Sequence, residues 1–551
     1  MSTLHARIPS LGLDLKRRRR YAEAADGRDW FKDAVVYQAY PRTFHDANGD
    51  GMGDLRGIIE KLPYLQELGI DVLWLSPVYA SPNDDNGYDV SDYRAIQPQF
   101  GTMADMEELI DDAHARGIKI MMDLVVNHTS DEHEWFKQSR SSKDNPYRDF
   151  YIWRDPRGFD GGGEDGACGE PLPPNNWGSE FGGSAWEYDE ATGQFYLHMF
   201  SKKQPDLNWE NPRVVDEVVD MIRWWQAKGV DGWRVDAICT ADKPAGFPDD
   251  PNQLPDRIRS SMEHVNAGER IHEYLNALNR RAWAVDRAVT VGELAGPRAA
   301  DGPSYTAPER EELDMAIHFE HMWVGNDEVF GKWTTEGPNF DEVLDILRSW
   351  EHHMLAEGGW QALYWENHDQ PRSLNRFGRL PLRRVFESEG LNPDDLPLVL
   401  RDVRAGGSSE PLITIFEKLD DGTEVPITTV AKPNPDNFDE LHTATAKLLA
   451  TIQFFQAGTP YIYQGQELGM TNGDFSSIDD YEDLDSVNWY HEMVSERGLL
   501  EASEALEYLQ EKSRDHSRIP VDWAVLDADH PGYAVATDIR EYFKLLVGLV
   551  G

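Results

Sequence analysis

Four acidic residues, two histidines and an arginine stand in four short motifs. They are Asp123-Leu-Val-Val-Asn127-His128, Arg234-Val-Asp236, Val291-Gly-Glu293 and Asn367-His368-Asp369. Carboxylates brought together resist joint ionisation and raise each other's pKa, so a purely structural core avoids such a group. Hydrolysis of a glycosidic bond uses one. A carboxylate attacks the anomeric carbon while a protonated partner donates to the leaving oxygen. A retaining pair stands about 5–5.5 Å apart, a span that adjacent barrel strands supply. Arg234 lies two residues before Asp236, hence on the same side of a strand, and is expected to keep Asp236 ionised as the nucleophile. Glu293 is expected to carry the raised pKa of a general acid.

A second set of oxygen side chains lies in Asp46-Ala-Asn48-Gly-Asp50-Gly-Met52-Gly-Asp54. Oxygen ligands at alternate positions suit a hard cation and copy the start of an EF-hand. Gly57 stands where that motif requires glutamate, so the loop is not an EF-hand.

The carboxylates need a scaffold that collects strand ends. Short β-rich apolar runs alternate with helical patterns, which points to βα units and a parallel sheet. The runs are Ala34–Tyr40, Asp71–Ser76, Lys119–Val126, Gly232–Ala237, Val289–Glu293, Leu313–Phe319, Ala362–Asn367 and Tyr461–Gln464. Eight such strands predict a (β/α)8 TIM barrel of the α/β class, with functional groups at the C-terminal strand ends. Between the second and third runs, Thr102 can cap a helix, Met103, Met106, Leu109, Ile110 and Ala113 line one face, and Gly117 ends it. A further helix starts at Pro212 and runs through Val215, Val218, Val219 and Ile222 to Gly229.

Two stretches break the alternation. Residues 129–205, rich in Gly, Pro, Asp and aromatics, read as a small inserted subdomain B after strand three. Residues 379–440 read as a second insertion, with a hairpin from Leu412–Phe416 and Glu424–Thr429 and a loop at Arg404–Glu410. The expected organisation is a polar tail at 1–28, a first part of the catalytic barrel at 29–128, subdomain B, and a second part at 206–551.

Composition narrows the partners. The 551 residues carry a formal charge of −46, which repels the phosphates of nucleic acid and of anionic membranes. No apolar run reaches the roughly 20 residues that cross a bilayer. The basic run Lys16–Arg20 is not followed by the apolar stretch of a secretory signal, so a cytoplasmic protein is expected. The two cysteines, Cys168 and Cys239, cannot build a disulfide framework and read as free thiols. The acidic residues are spread along the whole chain, and arginine outnumbers lysine more than two to one. Such a surface repels itself at low salt and is screened at molar salt, as suits a halophile with a salty cytoplasm. The expected result is an unfolding midpoint that rises with KCl concentration; greatest stability without salt overturns the halophile reading.

The four strand-end motifs, the last extended to Glu366-Asn-His-Asp-Gln-Pro-Arg372, resemble the sequence signatures of the α-amylase family, glycoside hydrolase family 13. Gln204-Pro-Asp-Leu-Asn208 resembles a further signature of its oligo-1,6-glucosidase and α-glucosidase branch. The resemblance runs in order from about residue 29 to 523. It implies Asp236 as nucleophile, Glu293 as acid/base and Asp369 as a third carboxylate that binds sugar hydroxyls. It implies that Asp85 and Tyr88 hold the non-reducing glucose, with His128, Arg234, His368 and Arg514 as further substrate contacts. It also implies structural calcium in the loop at 46–54, bound by Asp46, Asn48, Asp50 and Asp54 through side chains and by Met52 through its carbonyl.

The sequence departs from the family in two respects. Members carry a C-terminal β-sandwich, whereas this chain ends in a helical Ile539–Val550, so the sandwich is expected to be absent. Gln204 resembles the α-1,6-cleaving members, whereas Ala237 after the nucleophile resembles enzymes acting on α-1,4 bonds. The expected activity is that of a retaining α-glucosidase on short oligosaccharides. The alternatives are a transglucosylase or sugar isomerase of the sucrose isomerase or trehalose synthase type, and a non-catalytic carrier. The carrier reading is disfavoured because all three carboxylates are present.

Overall fold

The apolar runs become eight parallel strands: β1 (Val36–Ala39), β2 (Val72–Leu75), β3 (Lys119–Val125), β4 (Gly232–Asp236), β5 (Val289–Leu294), β6 (Met315–His318), β7 (Ala362–Leu363) and β8 (Thr459–Tyr463). In this computed structural model the described residues are 29–160, 169–253, 258–266, 268–326, 330–334, 337–378, 398–403, 412–418, 424–431 and 435–550. The expected 1–28 tail, Cys168 and the Arg404–Glu410 loop lie outside them.

The strands pair in the order β6-β5-β4-β3-β2-β1-β8-β7, and a parallel bridge between Ala316 and Gln361 joins the two ends. The chain therefore forms the expected (β/α)8 barrel. Each strand is buried on both faces, as its continuous apolar sequence requires.

Alternate residues divide between two cores. Val36, Val72, Trp74, Met121, Val289, Val291, Met315 and Ile317 fill the barrel interior. Tyr37, Leu73, Leu75, Ile120, Met122, Leu124 and Val235 face outward into the layer of helices. This parity positions the site. Asp123 follows Met121 by two, Glu293 follows Val291 by two, and Arg234 and Asp236 share one side of β4, so all four enter the barrel at its C-terminal mouth.

The helices that follow the strands are α1 (Leu55–Leu68), α2 (Met103–Ala115), α3 (Pro212–Gln226), α4 (Ile271–Arg281), α5 (Pro303–Thr306), α6 (Phe340–Glu357), α7 (Pro435–Phe454) and α8 (Tyr533–Val550). At α2, Thr102 and Asp105 form a reciprocal capping box, and Gly117 takes φ +80° just past the end. Helix α3 stops at Gln226, three residues before the expected Gly229: the Ala227 N–H makes the last i→i−4 bond, to Arg223, and the N–H groups of Lys228 and Gly229 turn back three residues to the carbonyls of Trp225 and Gln226. Its Val214, Val218, Ile222 and Trp225 pack on the barrel wall. β7 is shorter than its apolar run, because past Leu363 the chain leaves the ladder to carry Tyr364–Asp369 across the mouth.

Between β3 and α3 the chain builds a three-stranded antiparallel sheet from Trp153–Arg154, Gln194–Leu197 and Trp186–Asp189. Ile152, Trp177, Ala185, Phe195, Leu197, Met199 and Val265 give it a separate apolar core. Between β7 and α7, Leu398–Val403, Leu412–Lys418 and Glu424–Ala431 form an antiparallel meander, one strand more than the expected hairpin. Among the described residues no helix is long and apolar enough to cross a membrane. Cys239 is a buried free thiol.

Candidate active site

At the mouth, Arg234 is fully buried and holds three carboxylates. Its Nη1 donates to Asp123 Oδ1 at 2.7 Å and to Asp236 Oδ1 at 2.6 Å, while its Nη2 donates to Glu293 Oε1. The β3–β4 register, with Arg234 beside Asp123, creates the first contact. Trp74 Nε1 donates to the other Asp123 oxygen at 3.0 Å.

The strand breaks immediately after Asp236. Ala237 adopts φ +41°, ψ 32°, and its N–H donates to Glu293 Oε2 at 2.9 Å. Left-handed backbone is costly for a β-branched residue, so alanine suits this turn. The turn thus ties the two candidate catalytic carboxylates together through the main chain as well as through Arg234.

Burial dominates the electrostatics of the pair. It drives Asp236 up to about 7, against the pull of Arg234 and with help from Asp123 and Asp369. It drives Glu293 up to about 8, again against Arg234 and with the charges of Asp236 and Asp369 adding to the rise. The expectation that Arg234 keeps Asp236 ionised is met by an opposing effect: Arg234 does favour the ionised form, but the guanidinium is shared among three acids and does not offset desolvation. Asp123 is raised to about 6 by burial.

Asp369 behaves in the opposite way. Burial opposes its ionisation, but the hydrogen bond from His368 and the guanidiniums of Arg514 and Arg518 hold it well below the usual carboxylate range. His368 Nε2 lies 2.9 Å from Asp369 Oδ2, and Gln38 Nε2 donates to His368 Nδ1 at 2.9 Å, which leaves the ring proton on Nε2. Burial lowers His368 to about 4, so the ring is neutral. Arg514 Nη1 and Arg518 Nη2 donate to Asp369 Oδ1 at 3.0 and 3.1 Å.

The remaining expected contacts gather around this group. Tyr88 stacks on His368, with ring centroids 5.0 Å apart and planes at 4°. Asp85 Oδ2 accepts Gln204 Nε2 at 3.0 Å, and Asp85 Oδ1 lies 3.7 Å from Arg514 Nη2. His128 Nδ1 accepts from Asn127 Nδ2, and its Nε2 reaches the Tyr88 carbonyl at 3.1 Å. All nine expected catalytic and sugar-contacting residues thus belong to one connected site.

Residues 38–391 and 430–545 match the family described as alpha amylase, catalytic domain. The chain belongs to the α-amylase family. Over 510 residues it is 45% identical to an oligo-1,6-glucosidase of Parageobacillus thermoglucosidasius, covering 93% of this chain and 77% of that one. Among solved structures, the trehalose-6-phosphate hydrolase of Bacillus licheniformis is 40% identical with a TM-score of 0.73, covering 95% of this chain and 83% of that one. An isomaltulose synthase from Klebsiella sp. LX3 is 34% identical with a TM-score of 0.75, covering 95% and 84%. The α-amylase family member described here is a glycoside hydrolase.

Sequence reasoning missed four residues of the site. Asp483 is fully buried and accepts Arg514 Nε at 2.8 Å, while its second oxygen caps the Ser486 N–H. Arg518 donates to the His368 carbonyl at 2.9 Å besides Asp369. Lys243 pairs with Asp206 at 2.8 Å and reaches Asn127 Oδ1 at 3.1 Å. Gln38 had a legible signal, a polar residue inside an otherwise apolar strand.

The loop at 46–54 curls on its own amides. Asp46 accepts the N–H groups of Gly49 and Gly51 at 2.7 and 2.8 Å, Asn48 that of Asp50 at 2.9 Å, and Asp50 that of Met52 at 2.9 Å. Asp54 caps α1 by accepting the Gly57 N–H at 2.6 Å. Among the described residues no three His, Cys, Asp or Glu side chains converge as a metal cluster. The donor set itself is all hard oxygen, the chemistry a calcium ion takes.

Proposed function

We propose that this glycoside hydrolase is a retaining α-glucosidase that removes terminal non-reducing α-glucosyl units from short oligosaccharides such as maltose or isomaltose. The observation that carries the reading is the bridging of Asp236 and Glu293 by adjacent nitrogens of one buried guanidinium. That close spacing suits direct attack by a carboxylate; an inverting pair leaves room for a water.

Asp236 attacks C1, and the C1–oxygen bond to the leaving sugar breaks as Glu293 protonates that oxygen. The covalent glucosyl-Asp236 then yields to water, whose proton returns to Glu293, and glucose leaves with its α configuration. Asp369, ionised by its two arginines, binds hydroxyls of the same sugar. Asp85, Tyr88, His128, His368 and Arg514 grip the non-reducing end.

Glucose release from maltose and isomaltose, compared side by side in molar KCl, tests the reading. Faster release from isomaltose assigns an α-1,6 preference and points to Gln204, which acts through Asp85. Faster release from maltose points to Ala237. Silence on both overturns hydrolysis of these bonds. The likeness to an isomaltulose synthase supports a second reading, transfer of the glucosyl unit to a sugar acceptor. Product analysis with sucrose and maltose separates the two, since isomerised or elongated sugars appear only in transfer.

The loop at 46–54 is proposed to bind a structural calcium ion through Asp46, Asn48, Asp50, Asp54 and the Met52 carbonyl, remote from the reaction. A chelator is then expected to lower Tm while leaving kcat unchanged at temperatures where the protein stays folded, and added Ca2+ to restore Tm. An unchanged Tm overturns the site.

A further inference from the structure

The residues described so far hold the sugar on the Asp369 side of the scissile bond. Nothing yet accounts for the leaving sugar, which must lie outward of Glu293, because that residue protonates the oxygen joining the two. The elements outward of Glu293 are the ends of β5 and β6. Their register pairs Glu293 with Ile317 and Leu294 with His318, and so carries Phe319 alongside Ala295. Phe319 belongs to the apolar cluster of the barrel interior, and Ala295 packs against that cluster. Phe319 also meets the ring of Tyr364 edge-on at 6.4 Å, and Tyr364 feels the charges of Glu293 and Asp369.

One tight turn later, Trp323 stacks its indole on Phe319, with ring centroids 6.0 Å apart and planes at 17°. Phe319 is buried, whereas Trp323 leaves 40% of its surface exposed. The turn is held on both sides. Arg376 Nη2 donates to the carbonyls of Met322 and Val324. Glu320 accepts Arg298 Nη1 at 3.1 Å and Trp350 Nε1 at 3.0 Å. A large aromatic ring fixed in place before any ligand arrives needs little ordering on binding. A pyranose ring presents a face of C–H groups that can cover an indole while its hydroxyls stay in water.

We propose that Trp323, backed by Phe319, is the platform for the leaving-group sugar, and that it selects α-glucosides whose leaving group is itself a pyranose. The proposal rests on the α-glucosidase reading above. A fixed aromatic surface one tight turn past the strand that pairs with β5 also orients the glycosidic oxygen toward Glu293, so the contact serves positioning as well as affinity.

The test compares wild type, Trp323→Ala and Trp323→Phe on the disaccharide that wild type prefers and on α-glucosyl fluoride, whose leaving group is a single atom. Trp323→Ala is expected to lower kcat/KM on the disaccharide about tenfold, mostly through KM, as loss of a stacking partner does. The fluoride is expected to change less than about twofold, and Trp323→Phe to recover most of the loss. Equal losses on both substrates, or no loss on the disaccharide, overturn the platform. Wild-type enzyme that fails to hydrolyse the fluoride overturns the glucosidase reading itself, a result visible before any variant is made.

Discussion

Replacing Asp236 by alanine is expected to lower kcat/KM on maltose or isomaltose by on the order of 10⁴-fold or more, with the fold intact. The loss is large because without the carboxylate no covalent intermediate forms, and water has no activated route to the sugar. The fold survives because the side chain is a charge burden where it stands. Burial and the neighbouring acids lift it to about 7, which means its ionised form is held against a penalty at neutral pH. Arg234 keeps Asp123 and Glu293 as partners after the change. The space left by the carboxylate opens on the β face of the sugar, so azide is expected to restore turnover of α-glucosyl fluoride and give β-glucosyl azide. Near-normal turnover of the alanine variant without azide, with an unchanged product, would remove Asp236 from the nucleophile's place.

Much of this site was legible because the barrel turns sequence parity into geometry. An acidic residue on the inward parity of a strand enters the mouth: Asp123 and Glu293 stand two positions past the inward Met121 and Val291, and Asp236 two past the inward Arg234. Contacts that depend on chain folding between strands were not legible. Asp483 stands in Glu482-Asp-Leu-Asp485, an acidic run like many in a chain of charge −46, and only its burial against Arg514 distinguishes it. Arg518 lies four residues after Arg514, but nothing in the spacing says that both reach Asp369. The state of Asp236 was misread for a related reason. Sequence places Arg234 beside it, yet the sharing of that guanidinium with Asp123 and Glu293 follows from strand order alone.

The two charge systems divide the work of the site by their ratio of guanidiniums to acids. Around Arg234, three buried carboxylates share one guanidinium, and all three are pushed upward. Around Asp369, two guanidiniums and a neutral histidine serve Asp369 and Asp483, and both stay well below the ordinary range. The first system is thus suited to proton transfer and the second to fixed negative charge. In the proposed mechanism a developing positive charge on the sugar is met by Asp369 without any proton having to move.

Glu293→Gln carries the complementary expectation. Disaccharide hydrolysis should fall by about 10²- to 10⁴-fold, the usual contribution of a positioned general acid. In wild type the rate is expected to fall below about 7, where Asp236 takes up a proton, and above about 8, where Glu293 gives one up. The two limbs belong to the pair together, since the groups share Arg234. Glutamine cannot ionise, so the alkaline limb should vanish while the acid limb persists. Fluoride needs no proton to leave, so α-glucosyl fluoride should still glucosylate Asp236 in this variant. Without Glu293 as base, water then attacks slowly, and the glucosyl-protein adduct should accumulate to a level that mass spectrometry detects. Azide needs no base and attacks that adduct from the α face, giving α-glucosyl azide. The same anion thus yields opposite anomers from the two variants, β from Asp236→Ala and α from Glu293→Gln, and a single anomer from both would show that these carboxylates do not hold distinct roles.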